Sequence, residues 1–314
     1  SRDLTAKLVK LVQAMQEIKA EEDSRVNSYE IFVNQKQTHI RNSRGVDVTF
    51  SGFDCEIEVV TNSRKDDHEI EIYKDLRFSD KSAEKIIAEV RGMFHTGRQR
   101  LNAVPTRQNE HADVLLSGDA VGSFFQYFAM HTNASYQYMG VAKAKIGEAI
   151  TGADADPLNI RLVPTLDGSA KNAPYDETGM PAAERVLFEN GICRSYWGSL
   201  QHAHYIGMKN TTSMNNMVVE GGSKTLDELR SMPHIEITDF SAFDMDAVSG
   251  TCGGEIRLAY ESDGTISHPT TSGSLSARYD DVLKNLTFSK ETQQINNRVV
   301  PCAVLLRDVT VAGE

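Results

Sequence analysis

The sequence predicts an α+β fold, with an antiparallel sheet and flanking helices in the N-terminal part and a mixed, β-rich C-terminal domain with hairpins and short helices. Three observations carry this prediction. Apolar residues recur at helical spacing from Leu4 to Ile18, and apolar and polar residues then alternate in several segments between Tyr29 and Ile72. Asn190-Gly191 separates two β-rich runs, which is the signature of a tight hairpin. A helix followed by several strands and then by a second helix is an order that favours an α+β fold over a fold of alternating βα units.

The N-terminal elements follow from these periodicities. The first segment indicates an amphipathic helix inside a fold and not a signal peptide. Turn-rich breaks separate the alternating segments, which predicts an antiparallel meander of short strands. We expect Ser79 or Asp80 to cap a following helix. The buried side of that helix comprises Ala83, Ile86, Ile87, Val90 and Met93.

A polar stretch from Gly97 to Asp113, which contains Pro105, predicts a boundary between domains 1–112 and 113–314. In the second domain, Ser117 is the expected N-cap of an apolar helix that follows a short strand. Asn190-Gly191 predicts a type I′ hairpin. Further predicted elements are a hairpin over Glu255–Ile266, short helices over Leu226–Met232 and Asp280–Leu286, and a final strand over Ala303–Val311.

Composition excludes several classes of protein. The chain has 314 residues, 40% of them hydrophobic and 25% charged, and no apolar run approaches the length of a membrane span. The net charge is −11. The first 112 residues carry 18 Lys and Arg against 19 Asp and Glu, whereas the rest carries 15 against 25. This acidity disfavours direct nucleic-acid binding, and we expect no membrane partner.

The four cysteines are far apart in the sequence, and no CxxC motif occurs. This usage predicts free thiols in a reducing compartment, and therefore a cytoplasmic protein. Gly250-Thr-Cys252-Gly-Gly254 places one thiol among glycines that would let a substrate approach. An inert cysteine in a turn is the favoured interpretation, because no partner histidine can be assigned.

His202 and His204 form the closest histidine pair. Their rings would share one side of a strand but splay apart on a helix. Two packing or surface histidines are the favoured interpretation, with a metal site that includes Cys193 as the alternative. Gly221–Thr225 resembles half of a phosphate-binding loop, but a capping box of Thr225 and Glu228 explains it better.

Read together, several segments resemble the TldD/PmbA family, whose members are described as modulators of DNA gyrase and as peptide-maturation proteases. No single segment decides the resemblance, which rests on their order and spacing. The similar segments are Asn34–Gly45, Val114–Ser123, Asp176–Pro181, Arg185–Gly191, Asn216–Glu220 with Gly222 and Leu226–Leu229, and Leu305–Gly313. Family members are usually longer at the N-terminus, so the resemblance implies that the opening part of the first domain is lacking.

The resemblance distinguishes two types of subunit. The TldD type binds zinc through HExxxH and a later cysteine, whereas the PmbA/TldE type lacks these ligands and partners the active subunit. The matching positions here are Gly118, Asp119 and Ser123, with Phe288 or Ser289 at the cysteine position. Asp119 alone cannot hold a catalytic zinc, and it has a structural role available at a helix N-terminus. The resemblance therefore implies no catalytic residue, no metal and no cofactor.

The leading hypothesis is a non-catalytic subunit that helps a zinc-bearing TldD-like partner to form a cleft for extended or unfolded peptides. Asp176, Glu177 and Arg185 are candidate peptide-binding residues by resemblance, and His202 and His204 are further candidates. Packing or turn roles for the first three are equally open. One alternative is a peptidase that uses His202, His204 and Cys193 for metal, or Cys252 as nucleophile. The other is a homodimeric peptide- or ligand-binding protein.

Overall fold

The computed structural model describes residues 2–208 and 215–314. The chain divides into two compact units, one formed by Ser1–Ala103 with Thr165–Pro181 and the other by Val104–Pro164 with Ala182–Glu314. The domains proposed from the sequence, 1–112 and 113–314, group residues 104–112 and 165–181 differently. They stay a proposal about which parts of the chain fold independently.

The first unit is a three-stranded antiparallel meander with two helices, as the sequence predicts. Its strands are longer than expected, because the two alternating segments around Val48 and Ile57 belong to one continuous strand. Neighbouring strands pair in the order β1-β2-β3. The elements are α1 (Arg2–Gln16), β1 (Ser24–Arg41), β2 (Asp47–Lys65), β3 (His68–Phe78) and α2 (Ala83–Leu101).

The start of α2 corrects one prediction. Ser82 is the N-cap, and its side chain accepts a hydrogen bond from the Lys85 amide at 3.3 Å. Ser79 and Asp80 lie too early: the Ser79 amide donates to the Gly168 carbonyl, and the Asp80 carboxylate pairs with Lys7. The helix buries an apolar stripe against the sheet, as its periodicity predicts. The buried helix residues are Ile86, Val90, Met93, Phe94 and Gly97.

The second unit contains the remaining elements. The helices are α3 (Ala120–His131), α4 (Ala134–Tyr138), α5 (Leu200–Tyr205), α6 (Leu226–Arg230) and α7 (Tyr279–Val282). The strands are β4 (Val104–Pro105), β5 (Asn109–Ser117), β6 (Ile160–Val163), β7 (Arg185–Glu189), β8 (Ile192–Cys193), β9 (Asn216–Val219), β10 (His234–Asp246), β11 (Thr251–Ser262), β12 (Ser267–Thr271), β13 (Ser274–Arg278), β14 (Thr287–Phe288), β15 (Thr292–Ile295), β16 (Arg298–Pro301) and β17 (Ala303–Ala312).

Two sheets organise this unit. Five strands of the first sheet form a closed ring. Each strand pairs with the next in the spatial order β10-β5-β17-β13-β11, and β11 pairs in turn with β10. A second sheet has the order β15-β16-β9-β6-β7-β8. Helix α3 packs against β10, β5 and β16, and it is apolar on nearly all sides because it is buried between them.

The local predictions for this unit are largely confirmed. Asn190 and Gly191 have φ values of +49° and +76°, as a type I′ turn requires. Strands β11 and β12 form the second hairpin, and Thr225 and Glu228 form the capping box. The N-cap of α3 is Asp119 and not Ser117, whose hydroxyl donates to the Ile237 carbonyl instead. Within the described residues, no helix is long and apolar enough to cross a membrane.

Candidate functional site

The first motif position lies in a turn that only glycine fits. Gly118 joins β5 to α3 with φ of +67°. A Cβ there would lie 2.5 Å from the carbonyl oxygen of Thr238 on β10. A side chain would therefore meet both an unfavourable backbone conformation and a fixed backbone atom. In this fold, a histidine cannot occupy position 118 without displacing β10.

The other two positions on α3 carry oxygen side chains. Asp119 is exposed at the N-cap, where a carboxylate interacts favourably with the helix dipole. Ser123 lies one turn later and is half-buried. A carboxylate and a hydroxyl do not replace two neutral imidazoles as zinc ligands.

The later motif position offers no ligand either. Phe288 is fully buried and packs edge-on against Phe125 of α3, with ring centroids 5.6 Å apart. The hydroxyl of Ser289 is also buried; it donates to the Glu291 carbonyl at 2.8 Å and accepts from the Ala303 amide at 3.1 Å. Both residues therefore have structural roles at the junction of β14 and β17.

Arg298 lies against this part of α3, and sequence reasoning missed it. Its Nη2 donates to Oε1 of Gln126 at 2.8 Å. A Cβ added at Gly122 would lie 3.6 Å from its Nη1. Burial lowers the pKa of the guanidinium below its ordinary value. Nothing in the local sequence marks Arg298, because the contact joins residues 172 positions apart.

Asp176 and Glu177 belong to the first unit. The Asp176 side chain is buried in a turn, where Oδ1 accepts the backbone amides of Thr178 at 2.8 Å and Met180 at 3.0 Å. Its acceptor capacity is thus used to hold the turn. Glu177 is exposed. The geometry gives Asp176 a turn role and leaves Glu177 as a candidate for contact with a ligand.

Arg185 belongs to the second unit, on β7. Its Nη1 donates to the carbonyl oxygen of Tyr196 at 3.1 Å, and burial lowers the pKa of the guanidinium. The side chain ties β7 to the segment after β8. A role in binding peptide stays a proposal for this residue.

His202 and His204 both lie on the short helix α5, so their rings splay apart. Nδ1 of His202 lies 3.0 Å from the hydroxyl of the N-cap Ser199, and His204 is exposed. The His202 ring also contacts an exposed aromatic pair, Tyr138 and Tyr205. The helix therefore does not direct the two imidazoles towards a shared metal ion.

The two cysteine candidates, Cys193 and Cys252, are buried. Burial raises the pKa of Cys193 to about 11 and that of Cys252 to about 12, so both stay protonated near neutral pH. Across residues 2–208 and 215–314, no three His, Cys, Asp or Glu side chains converge as a metal-binding group. These residues give the alternative of a non-standard peptidase site no support.

A cavity of about 730 Å³ opens at one end of the closed strands. Two of its polar side chains have close partners: Glu261 accepts the Arg107 amide at 2.9 Å, and Nδ1 of His234 lies 2.6 Å from the Met232 carbonyl. Sequence reasoning did not find this cavity, which three separate strand ends and a hairpin create. Its lining includes His111, His234, Glu261, Asp263, Ile266 and His268.

Comparison with known proteins decides the family. The model of the PmbA/TldA metallopeptidase C-terminal domain matches residues 109–313. The chain belongs to the PmbA/TldD family. This assignment confirms the resemblance inferred from the sequence segments.

The relatives of this PmbA/TldD chain are distant in sequence. A metalloprotease PmbA homolog from Haemophilus influenzae is 22% identical over 68% of this chain. The chain spans about half (48%) of that relative's length. TldE from Thermococcus kodakarensis is similar in structure, with a TM-score of 0.79, 19% identity, and coverage of 100% of this chain and 75% of TldE. A candidate modulator of a DNA gyrase from Thermotoga maritima is also similar in structure, with a TM-score of 0.81 and 18% identity. The match covers 98% of this chain and 74% of the Thermotoga maritima chain.

A metallopeptidase family implies a metal, and the residues at the motif positions do not fit one. Gly118 has no side chain and no room for one. The Ser289 hydroxyl is already hydrogen-bonded to two backbone groups. Asp119 and Ser123 remain, which are too few and too poor as ligands for a catalytic zinc. No reaction step is therefore derived through a metal at this position.

Proposed function

We propose that this chain is a PmbA/TldE-like, non-catalytic subunit of a TldD-type metallopeptidase assembly. The proposal rests on the start of α3, where the residues that the resemblance aligns with the zinc motif are Gly118, Asp119 and Ser123, and where Gly118 has no room for a side chain. A general base without a metal has no activated water to use. The subunit would need no cofactor of its own and would act in the cytoplasm, in keeping with its free thiols.

The proposed role is to help form a cleft for extended or unfolded peptides during their maturation or degradation. Strand β15 is one of the two outer strands of the six-stranded sheet, and the one strand it pairs with in the described part of the chain is β16. An outer strand can pair with an extended peptide through its free backbone groups. Glu177, Arg185, His202 and His204 are further candidates for contact with peptide; Arg185 lies on β7, towards the opposite edge of this sheet, and would contact a different stretch of peptide from β15.

Metal content tests the non-catalytic role. The full chain is incubated with zinc, separated by gel filtration and measured by elemental analysis. We expect less than about a tenth of an equivalent, because a structured zinc site binds tightly. A TldD-type subunit with an intact HExxxH motif, treated in parallel, should retain zinc. Near-stoichiometric zinc in this chain would contradict the proposal and favour a peptidase with a non-standard site.

Association tests the partner. The chain is mixed with a zinc-bearing TldD-type subunit, and the mass of the complex is measured by sedimentation. A mixed complex that cleaves peptides, when neither subunit alone does so, supports the proposed assembly. A stable homodimer that binds peptides and does not associate with the zinc-bearing subunit would instead favour the alternative hypothesis of a homodimeric binding protein.

A further inference from the structure

Arg298 lies on β16, one strand in from the open edge of the six-stranded sheet. Its register partner on the outer strand β15 is Ile295. The guanidinium faces α3, where Nη2 donates to Gln126. A Cβ added at Gly122 would lie 3.6 Å from Nη1 and 3.8 Å from Cδ. The guanidinium therefore lies alongside the buried Gly122, and the Ile295 side chain of β15 borders the same spot.

The charge of Arg298 has no ion-pair partner among the described residues. In the part that the structure describes, no carboxylate lies within ion-pair distance of it, and residues 209–214 contain neither Asp nor Glu. Its Nε is buried without an acceptor among the described residues. A half-buried charge without a partner is unfavourable, since desolvation is not offset by attraction to an opposite charge.

Two other arginines of the same unit are paired with carboxylates. Arg230 donates from Nε and Nη2 to the two carboxylate oxygens of Glu236, at 2.8 and 2.7 Å. Arg307 pairs with Asp113 at 3.2 Å. Arg298 instead donates to a neutral amide oxygen, as Arg185 does to a carbonyl, and it differs from Arg185 in lying beside α3.

We propose that Arg298 binds a carboxylate of a peptide lying along β15. The guanidinium presents its N–H groups as a planar fork that matches a carboxylate, and such charge-assisted bonds are stronger where water is partly excluded. The carboxylate is the peptide C-terminus or an acidic side chain, and both share this chemistry. The inference rests on the proposed peptide-binding function.

Matched peptides test the inference. Extended peptides of one sequence are prepared with a free or an amidated C-terminus, and with Glu or Gln at one internal position, and their affinities are measured by fluorescence anisotropy. We expect the full chain to bind either the free C-terminus more tightly than the amidated one, or the Glu peptide more tightly than the Gln peptide, by roughly tenfold to hundredfold. Arg298→Met should abolish that preference. Arg307→Met, which removes an arginine already paired with Asp113, should keep it.

The outcomes separate this inference from the function on which it rests. Equal binding of all four peptides would overturn the role of Arg298 and leave peptide binding intact. Binding of none would overturn both. Thermal unfolding is the folding control: Arg298→Met loses the hydrogen bond to Gln126 together with a charge that has no ion-pair partner, so Tm should fall by no more than a few degrees and the variant should stay folded during the binding measurement.

Discussion

The rings of Tyr127 and Tyr279 stack face to face, with centroids 3.7 Å apart and planes 5° from parallel. Both rings are fully buried, but their hydroxyls differ. That of Tyr279 donates to the Phe124 carbonyl at 2.9 Å, whereas that of Tyr127 has no hydrogen-bond partner among the residues described. The stack joins α3 to α7 and so fixes the helix that carries the motif positions.

Removing each hydroxyl should have opposite effects. Tyr279→Phe loses a buried hydrogen bond and should lower the free energy of unfolding by about 1 kcal/mol. Tyr127→Phe removes a buried, unsatisfied hydroxyl and should raise it by about 1 kcal/mol. Urea denaturation measures both variants, and each serves as the control for the other because the stacked rings are retained. Equal shifts of the same sign would contradict this account.

The elements that sequence predicted best are those fixed by local chemistry. Asn190-Gly191 adopts the two positive φ values of a type I′ turn because few other residue pairs tolerate them. Thr225 and Glu228 satisfy helix amides within one turn. Neighbouring residues decide each of these structures, so the sequence pattern is sufficient.

What sequence missed depends on distant parts of the chain. Strand β10 was not predicted because bulges after Ile237 and near Phe240 break its alternation. The contact of Arg298 with α3 and the cavity near His234 arise only when distant segments of the folded chain come together. Sequence resemblance aligns Gly118 with the first zinc-motif position, which stays a prediction, and only the structure shows that Gly118 has no room for a side chain.

Two glycines near the start of α3 should respond oppositely to alanine. Gly118→Ala forces a side chain into positive φ and against Thr238, so we expect a loss of more than about 2 kcal/mol. Gly122→Ala places its Cβ at ordinary contact distances inside a helix and should gain about 0.5–1 kcal/mol. Thermal and urea unfolding test the pair. A well-tolerated Gly118→Ala would remove the steric argument against a ligand at this position.

Asp156 should stabilise the loops beside Phe288. Its carboxylate accepts the Ser223 hydroxyl on one oxygen and the Phe288 amide, at 2.9 Å, on the other. Asp156→Ala removes both acceptor oxygens and leaves the buried Phe288 amide without its partner, at a cost of about 1–3 kcal/mol. Asp154→Ala is the matched control, because that carboxylate is exposed two residues away. Equal stability of both variants in urea would contradict this role.

His131 should make the stability of the protein depend on pH. The imidazole is fully buried, Nδ1 accepts the Lys143 amide at 3.1 Å, and burial lowers the pKa from 6.5 to about 4. Between these values the unfolded chain binds a proton that the folded chain does not. The free energy of unfolding should therefore fall as pH drops from 6.5 towards 4, by on the order of 3 kcal/mol from this group. Above pH 6.5, His131 should not make the free energy of unfolding depend on pH.

Urea denaturation at pH 7 and 4.5 measures the loss. His131→Asn, whose amide oxygen can still accept the Lys143 N–H, should reduce the loss, whereas His68→Asn at an exposed position should not. The same loss in all three proteins would show that His131 is not responsible.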